Sequence, residues 1–280
     1  LILSFAVALL SGCSSDEAYE GLNKNPNAPA EVSDSQLFVS SINSLTDFIE
    51  STNVNHNNFR LYAQYWTQTQ YTDEANYELK NREIPDYMFS EFYRDILGDL
   101  DNAKSLVTDP VKIAQIELLS VYAWQMLVDA FGDVPYTEAL KAGGATPNLA
   151  PAYDDDEAIY TDLISRAQTA IAGLSAAGTP YSDSDLIFSG STASWKTFGH
   201  GLLVKIGYRL MDQNPSTPKT LNEGNYASAL TSISDNAYIQ FEGAPPNTNP
   251  LWEDLVQSGR QDFIPACLLY TSPSPRDVEE

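Results

Sequence analysis

The chain has 280 residues, 38 acidic against 15 basic, and a formal net charge of −23. That length allows one large domain or two, with room for a sizeable core. The charge excludes attraction to nucleic acid or an anionic membrane surface and leaves neutral partners such as sugars or peptides open. Sixteen Tyr and four Trp offer flat amphipathic faces suited to hydrogen bonding beside apolar contact. With only Cys13 and Cys267, there is no disulfide framework.

In chain order, the apolar residues 1–10 lead into LSGC, the pattern of a secretory signal ending at a lipoprotein cleavage site. The chain opens without Met or a basic segment. Residues 1–12 are therefore expected to be the remainder of a signal peptide, with Cys13 carrying the lipid. Residues 13–32, rich in Asn, Pro, Ser and acids, read as a tether and loop. Asp34 or Ser35 caps a predicted helix to about residue 52, with Leu37, Ser41, Leu45 and Phe48 on one face. A second helix is predicted over 58–70, where Phe59, Tyr62, Tyr65 and Trp66 fall at helical spacing. TDEANYELKNREIP is a polar connection, and a third helix spans 85–107.

The stretch 109–140, DPVKIAQIELLSVYAWQMLVDAFGDVPYTEAL, is the most informative. Asp109 caps the start, Pro110 fits the first turn, Gly132 stops the helix and Pro135 prevents its continuation. Residues 118–131 are apolar almost all round, so this helix must be surrounded by others. Its uncharged run is too short and broken to span a bilayer. Further helices are predicted over 158–174, from Ser191 or Ser194 to about 211, and over 225–233. Gly199, Gly201 and Gly207 inside the penultimate one imply close approach of a neighbouring helix. Helical pairs without strong strand signals give a mainly α fold, with no clean 34-residue period. After Ile264 the text changes to CLLYTSPSPRDVEE, which resembles translated adapter DNA; residues 267–280 are expected to be non-native and Cys267 to have no role.

DAFGDVPYTEAL resembles the SusD/RagB family of Bacteroidetes outer-membrane lipoproteins. LNKNPNAP, YWTQTQYTDEANYEL, SWKTFGHGLLVKIGYRL and SGRQDF follow the family's order, so the likeness covers residues 22–264. The resemblance implies tetratricopeptide-like pairs of antiparallel helices with long irregular loops over 33–266. It also implies a C-terminal part lying beyond this chain. It further implies a lipid-anchored protein at the cell surface that binds a nutrient and sits on a TonB-dependent transporter of the SusC type. SSDE after Cys13 resembles the export signal of such lipoproteins.

The residue types needed for chemistry are scarce. There is no G-x-S-x-G, and His56 and His200 are too isolated for a metal site or a triad. No catalytic residue, metal or cofactor is expected. Asp154, Asp155 and Asp156 read as a solvated helix cap, and Asp129 as a carboxylate bonded to the following turn. A sugar site needs an aromatic platform beside amides and carboxylates. Trp66, Tyr71, Asp73, Asn76 and Tyr77 are the candidates, although Tyr62, Tyr65 and Trp66 also suit a core. The sequence thus points to glycan capture. A helical scaffold without its own ligand and a surface glycoside hydrolase are the alternatives.

Overall fold

The computed structural model describes residues 32–81, 83–141, 147–212 and 216–271. Cys13, the signal remainder, most of the tether and residues 272–280 lie outside the described residues. In chain order, the elements begin with α1 (Asp34–Glu50), α2 (Phe59–Tyr62) and β1 (Trp66–Gln68). Next come α3 (Ile84–Glu91), a π-helical turn (Phe92–Ile96) and α4 (Leu97–Leu106), then the long α5 (Pro110–Phe131). β2 (Val134–Pro135) and β3 (Tyr153–Asp154) lead to α6 (Asp156–Gly173), α7 (Thr192–Arg209) and α8 (Ser216–Asn225). The described chain closes with α9 (Pro250–Trp252), β4 (Phe263–Pro265) and α10 (Cys267–Thr271). Among the described residues no helix is long and apolar enough to cross a membrane.

The fold is mainly α and is organised around α5. Asp109 Oδ1 accepts from the Val111 and Lys112 amides at 2.8 and 3.4 Å, satisfying donors left free at the helix start. Gly132, at φ 71°, returns its N–H to the Val128 carbonyl and ends the helix. Fourteen residues of α5 are buried, from Val111 to Val128. α6 packs along α5, α7 along α6 and α8 along α7, while α1 lies against α4. Rings fill the seams: Phe38 stacks on Tyr181 at 4.3 Å, and Phe48 meets Phe92 edge-on at 5.0 Å.

DAFGDVPYTEAL is an architectural motif. β2 pairs antiparallel with β3, Val134 facing Asp154 and Pro135 facing Tyr153. Asp154 accepts from the Tyr136 and Thr137 amides, both at 2.9 Å, and from the Thr137 hydroxyl. It holds the return from α5 to α6; the cap of α6 is Asp155, bonded to the Ala158 amide at 3.2 Å. Tyr136 lies edge-on to Trp124 at 4.7 Å and receives a hydrogen bond from Arg166.

Several local expectations change. The helix predicted over 58–70 stops at Tyr62; Gln64, at φ 57°, turns the chain, and Trp66–Gln68 becomes a strand. Tyr65 is consequently exposed rather than core. In place of the helix at 225–233 there are single turns, Tyr226–Ser228 and Ile233–Asp235, and α8 lies before them. Asp129 does not bond to the following turn. It accepts from Arg209 Nε and Gln125 Nε2, at 2.8 and 3.0 Å, and from the Tyr160 hydroxyl. The Arg209 charge offsets the unfavourable end of the α5 dipole.

The helical glycines divide. A Cβ on Gly199 would lie 2.7 Å from the Ile171 side chain, and one on Gly207 would lie 2.2 Å from Asn222. One on Gly201 would make ordinary contact with Leu230 at 3.4 Å. Gly201→Ala is therefore expected to stabilise the protein by up to about 1 kcal/mol through helix propensity. Gly199→Ala should destabilise it by about 1–3 kcal/mol through overpacking. Thermal denaturation checks both, and equal gains from the two would contradict the close packing of α6 on α7.

Candidate functional site

Two stretches 200 residues apart build one corner of the molecule. β1 pairs antiparallel with β4, bringing Trp66 opposite Pro265, Thr67 opposite Ile264 and Gln68 opposite Phe263. YWTQTQ and SGRQDF thus form one ladder, extended by the Thr69 amide donating to Asp262 O at 2.7 Å. Arg260 Nε, 2.7 Å from Asp262, braces the second motif. Buried Gln68 anchors the next turn: its amide donates to Glu74 at 2.8 Å and its carbonyl accepts from the Ala75 amide at 2.9 Å.

That turn carries the residues singled out from the sequence. Asp73 and Asn76 share it, since Asp73 O accepts from the Asn76 and Glu78 amides. The Asn76 side-chain amide donates to Thr72 O. Tyr71 and Tyr77 are 66% and 53% exposed. Tyr77 stacks on Tyr62 at 5.9 Å and its hydroxyl donates to Tyr62 O, so one of its faces is taken. Trp66 stands apart from the turn, half-buried, 5.7 Å from Phe263 and with the Arg60 guanidinium 5.7 Å away over its ring. Gln64, Tyr71, Tyr77 and Glu83 all hold φ between 51° and 62°. Each is a non-glycine residue in the left-handed region, a local backbone cost that the surrounding contacts must offset.

Arg60 connects this ridge to a cleft that the sequence did not reveal. Its guanidinium donates to Ser51 O at 2.7 Å, and Ser51 lines a cavity of about 600 Å³. One wall is Asn43, Thr46 and Asp47 on α1, with Asn53 and His56 after it. The other wall, 200 residues later, is Gln240, Glu242, Asn247, Thr248, Glu253 and Asp254. Asp254 ties the walls together, accepting from the Thr52 amide at 3.1 Å and the Thr52 hydroxyl at 3.0 Å. His56 stacks on Tyr87 at 4.2 Å, and burial pushes its imidazole below the ordinary range. Asp47 is surface-exposed as a residue, yet the surrounding walls displace enough water to push its carboxyl up, and Glu253 adds repulsion. The only local signal for this cleft is the polar spacing Asn43, Thr46, Asp47 on one side of α1.

Beneath the rim, Glu91 is pushed up to about 7 by burial, with Asp95 and Asp47 adding repulsion. The folded state therefore holds this proton more tightly than the unfolded chain does. The stability involved is complete below the ordinary value of 4.5 and is lost as pH rises through about 7. Glu91→Gln should leave the thermal midpoint nearly unchanged in acid and raise it relative to wild type in mildly alkaline buffer. A pH-independent difference would contradict this. Elsewhere, Asp133, Asp155 and Asp156 are the group of three or more potential metal ligands found among the described residues. All three are exposed; Asp155 caps α6 and Asp133 accepts from the Asp156 amide at 3.1 Å.

Packed helix pairs thus carry an aromatic ridge and, between α1 and the 239–254 segment, an amide-lined cleft. The chain matches, over residues 26–272, the SusD-like family model described as "Starch-binding associating with outer membrane". The chain therefore belongs to the SusD-like family. No curated protein sequence matches it. Solved structures share the fold. A chitin-binding protein superimposes with a TM-score of 0.71 at 18% identity, over 84% of this chain and 51% of its own. A SusD/RagB family protein from Bacteroides thetaiotaomicron gives 0.69 at 19%, over 84% and 50%. A chitin-binding SusD homolog from Flavobacterium johnsoniae gives 0.65 at 18%, over 81% and 50%. The chain spans about half the length of these structures.

Proposed function

We propose that this protein captures a glycan at the cell surface and passes it, chemically unchanged, to a TonB-dependent transporter of the SusC type. The observation that carries the reading is the cleft of about 600 Å³ between α1 and the 239–254 segment, within the size range of ligand sites. Its amides and carboxylates suit sugar hydroxyls, and the exposed ring of Tyr71 suits the C–H face of a sugar. Chitin binding by two structural neighbours is in keeping with a glycan ligand. Cys13 is the proposed lipid attachment, to be sought by mass spectrometry of the native protein; an unmodified cysteine would refute it.

The ridge is tested by measuring affinity and thermal midpoint together for Tyr71→Ala and Tyr77→Ala. Tyr71→Ala should lose about tenfold in glycan affinity, or 1.4 kcal/mol, with the midpoint unchanged. Tyr77→Ala should lose both, because its ring also stacks on Tyr62. Unchanged affinity in both variants would move the ligand off the ridge.

A further inference from the structure

Four carboxylates line the cleft, Asp47, Glu242, Glu253 and Asp254, and among the described residues that line it none is a Lys or Arg. Burial disfavours the charged form of His56, against the pull of Asp254. Arg60, the cation at the cleft edge, is turned away: its guanidinium donates to the carbonyls of Ser51 and Ile49 and lies over Trp66. Asp254 is held by the Thr52 amide and hydroxyl, and the Thr248 hydroxyl donates to Glu253, so both carboxylates are fixed in place. A walled cavity concentrates the field of such groups, because its sides exclude part of the screening water.

We propose that the cleft selects glycans carrying ammonium groups, such as de-N-acetylated amino-sugar oligosaccharides, over neutral ones, and that it rejects uronic or sulfated sugars. This rests on the reading of the cleft as a glycan site. Asn43, Asn53, Gln240 and Asn247 supply amides for hydroxyls, which favours a sugar over a basic peptide. The carboxylates add the selectivity: an ammonium among them gains attraction that an N-acetyl group cannot.

The test is calorimetric titration of the protein with a glucosamine tetrasaccharide, its fully N-acetylated counterpart and tetralysine, in slightly acid buffer of low ionic strength. The glucosamine oligomer should bind about tenfold tighter than the acetylated one. That preference should shrink several-fold in about 0.5 M salt, where screening is strong. It should likewise shrink several-fold in the doubly substituted Asp47→Asn, Glu253→Gln protein, with far-ultraviolet circular dichroism confirming its fold. Equal affinity for the two sugars, or a preference indifferent to salt, overturns the charge selectivity while leaving the glycan site standing. If neither sugar binds, the glycan site itself falls, and with it the selectivity. Binding of tetralysine alone overturns both in favour of a basic peptide.

Discussion

Asp185→Ala is expected to lower the thermal midpoint by about 10 °C, the effect of losing roughly 3–5 kcal/mol in a domain of this size. Asp185 is 2% exposed, and its carboxylate accepts from five donors. Oδ2 takes the Trp195 indole at 2.7 Å, the Gly190 amide at 2.8 Å and the Gln115 amide at 3.4 Å. Oδ1 takes the Ile187 and Phe188 amides, both at 3.1 Å. Those donors fasten the 181–190 loop to the start of α7 and to the buried face of α5. Alanine would strand them away from water, each at a cost of about 1–3 kcal/mol before relaxation. Asp185→Asn keeps one acceptor oxygen and should fall between. Thermal denaturation decides the matter, and an unchanged midpoint for the alanine variant would mean the loop holds without its hub.

Leu119→Asp is expected to yield no folded protein. Leu119 is 2% exposed and sits among the apolar side chains of Ile42, Leu45, Ile49, Ile187 and Phe198, which line a cavity of about 410 Å³ with it. Glu50, also on its wall, would repel the new carboxylate. An unpaired buried charge costs several kcal/mol, a large fraction of the 5–15 kcal/mol that separates folded from unfolded states. Leu119→Met, close in volume, should fold and serve as the control. Circular dichroism and solubility are the readouts; a soluble, cooperatively melting Leu119→Asp protein would remove α5 from the core.

The core was legible because its signals are local. Asp109 and Pro110 start α5, Gly132 ends it, and the absence of a polar face between them demands burial on all sides. Ser191 likewise caps α7 through the Ser194 amide. What was hidden depends on partners distant in sequence. Trp66 has helical spacing with Tyr62, but pairing of 66–68 with 263–265 overrides local preference. The hub at Asp185 lies in a stretch with no periodicity at all. The cleft is hardest to foresee, since its walls are separated by about 200 residues and a polar side of α1 reads as ordinary solvated surface. Asp73, Asn76 and Tyr77 were readable as parts of one polar connection, but the turn they form rests on buried Gln68, which fell inside a predicted helix.

The most direct measurement is titration of a glycan panel into wild-type protein and into Asn43→Trp, with chromatography of the recovered glycan. Asn43 lines the cleft and projects from α1, so an indole there fills the cavity without disturbing the helix core. The account predicts saturable binding of at least one oligosaccharide by wild type, its recovery at full length, and loss of binding in Asn43→Trp at an unchanged thermal midpoint. Undiminished binding in that variant, or release of shorter sugars by the wild-type protein, would contradict it.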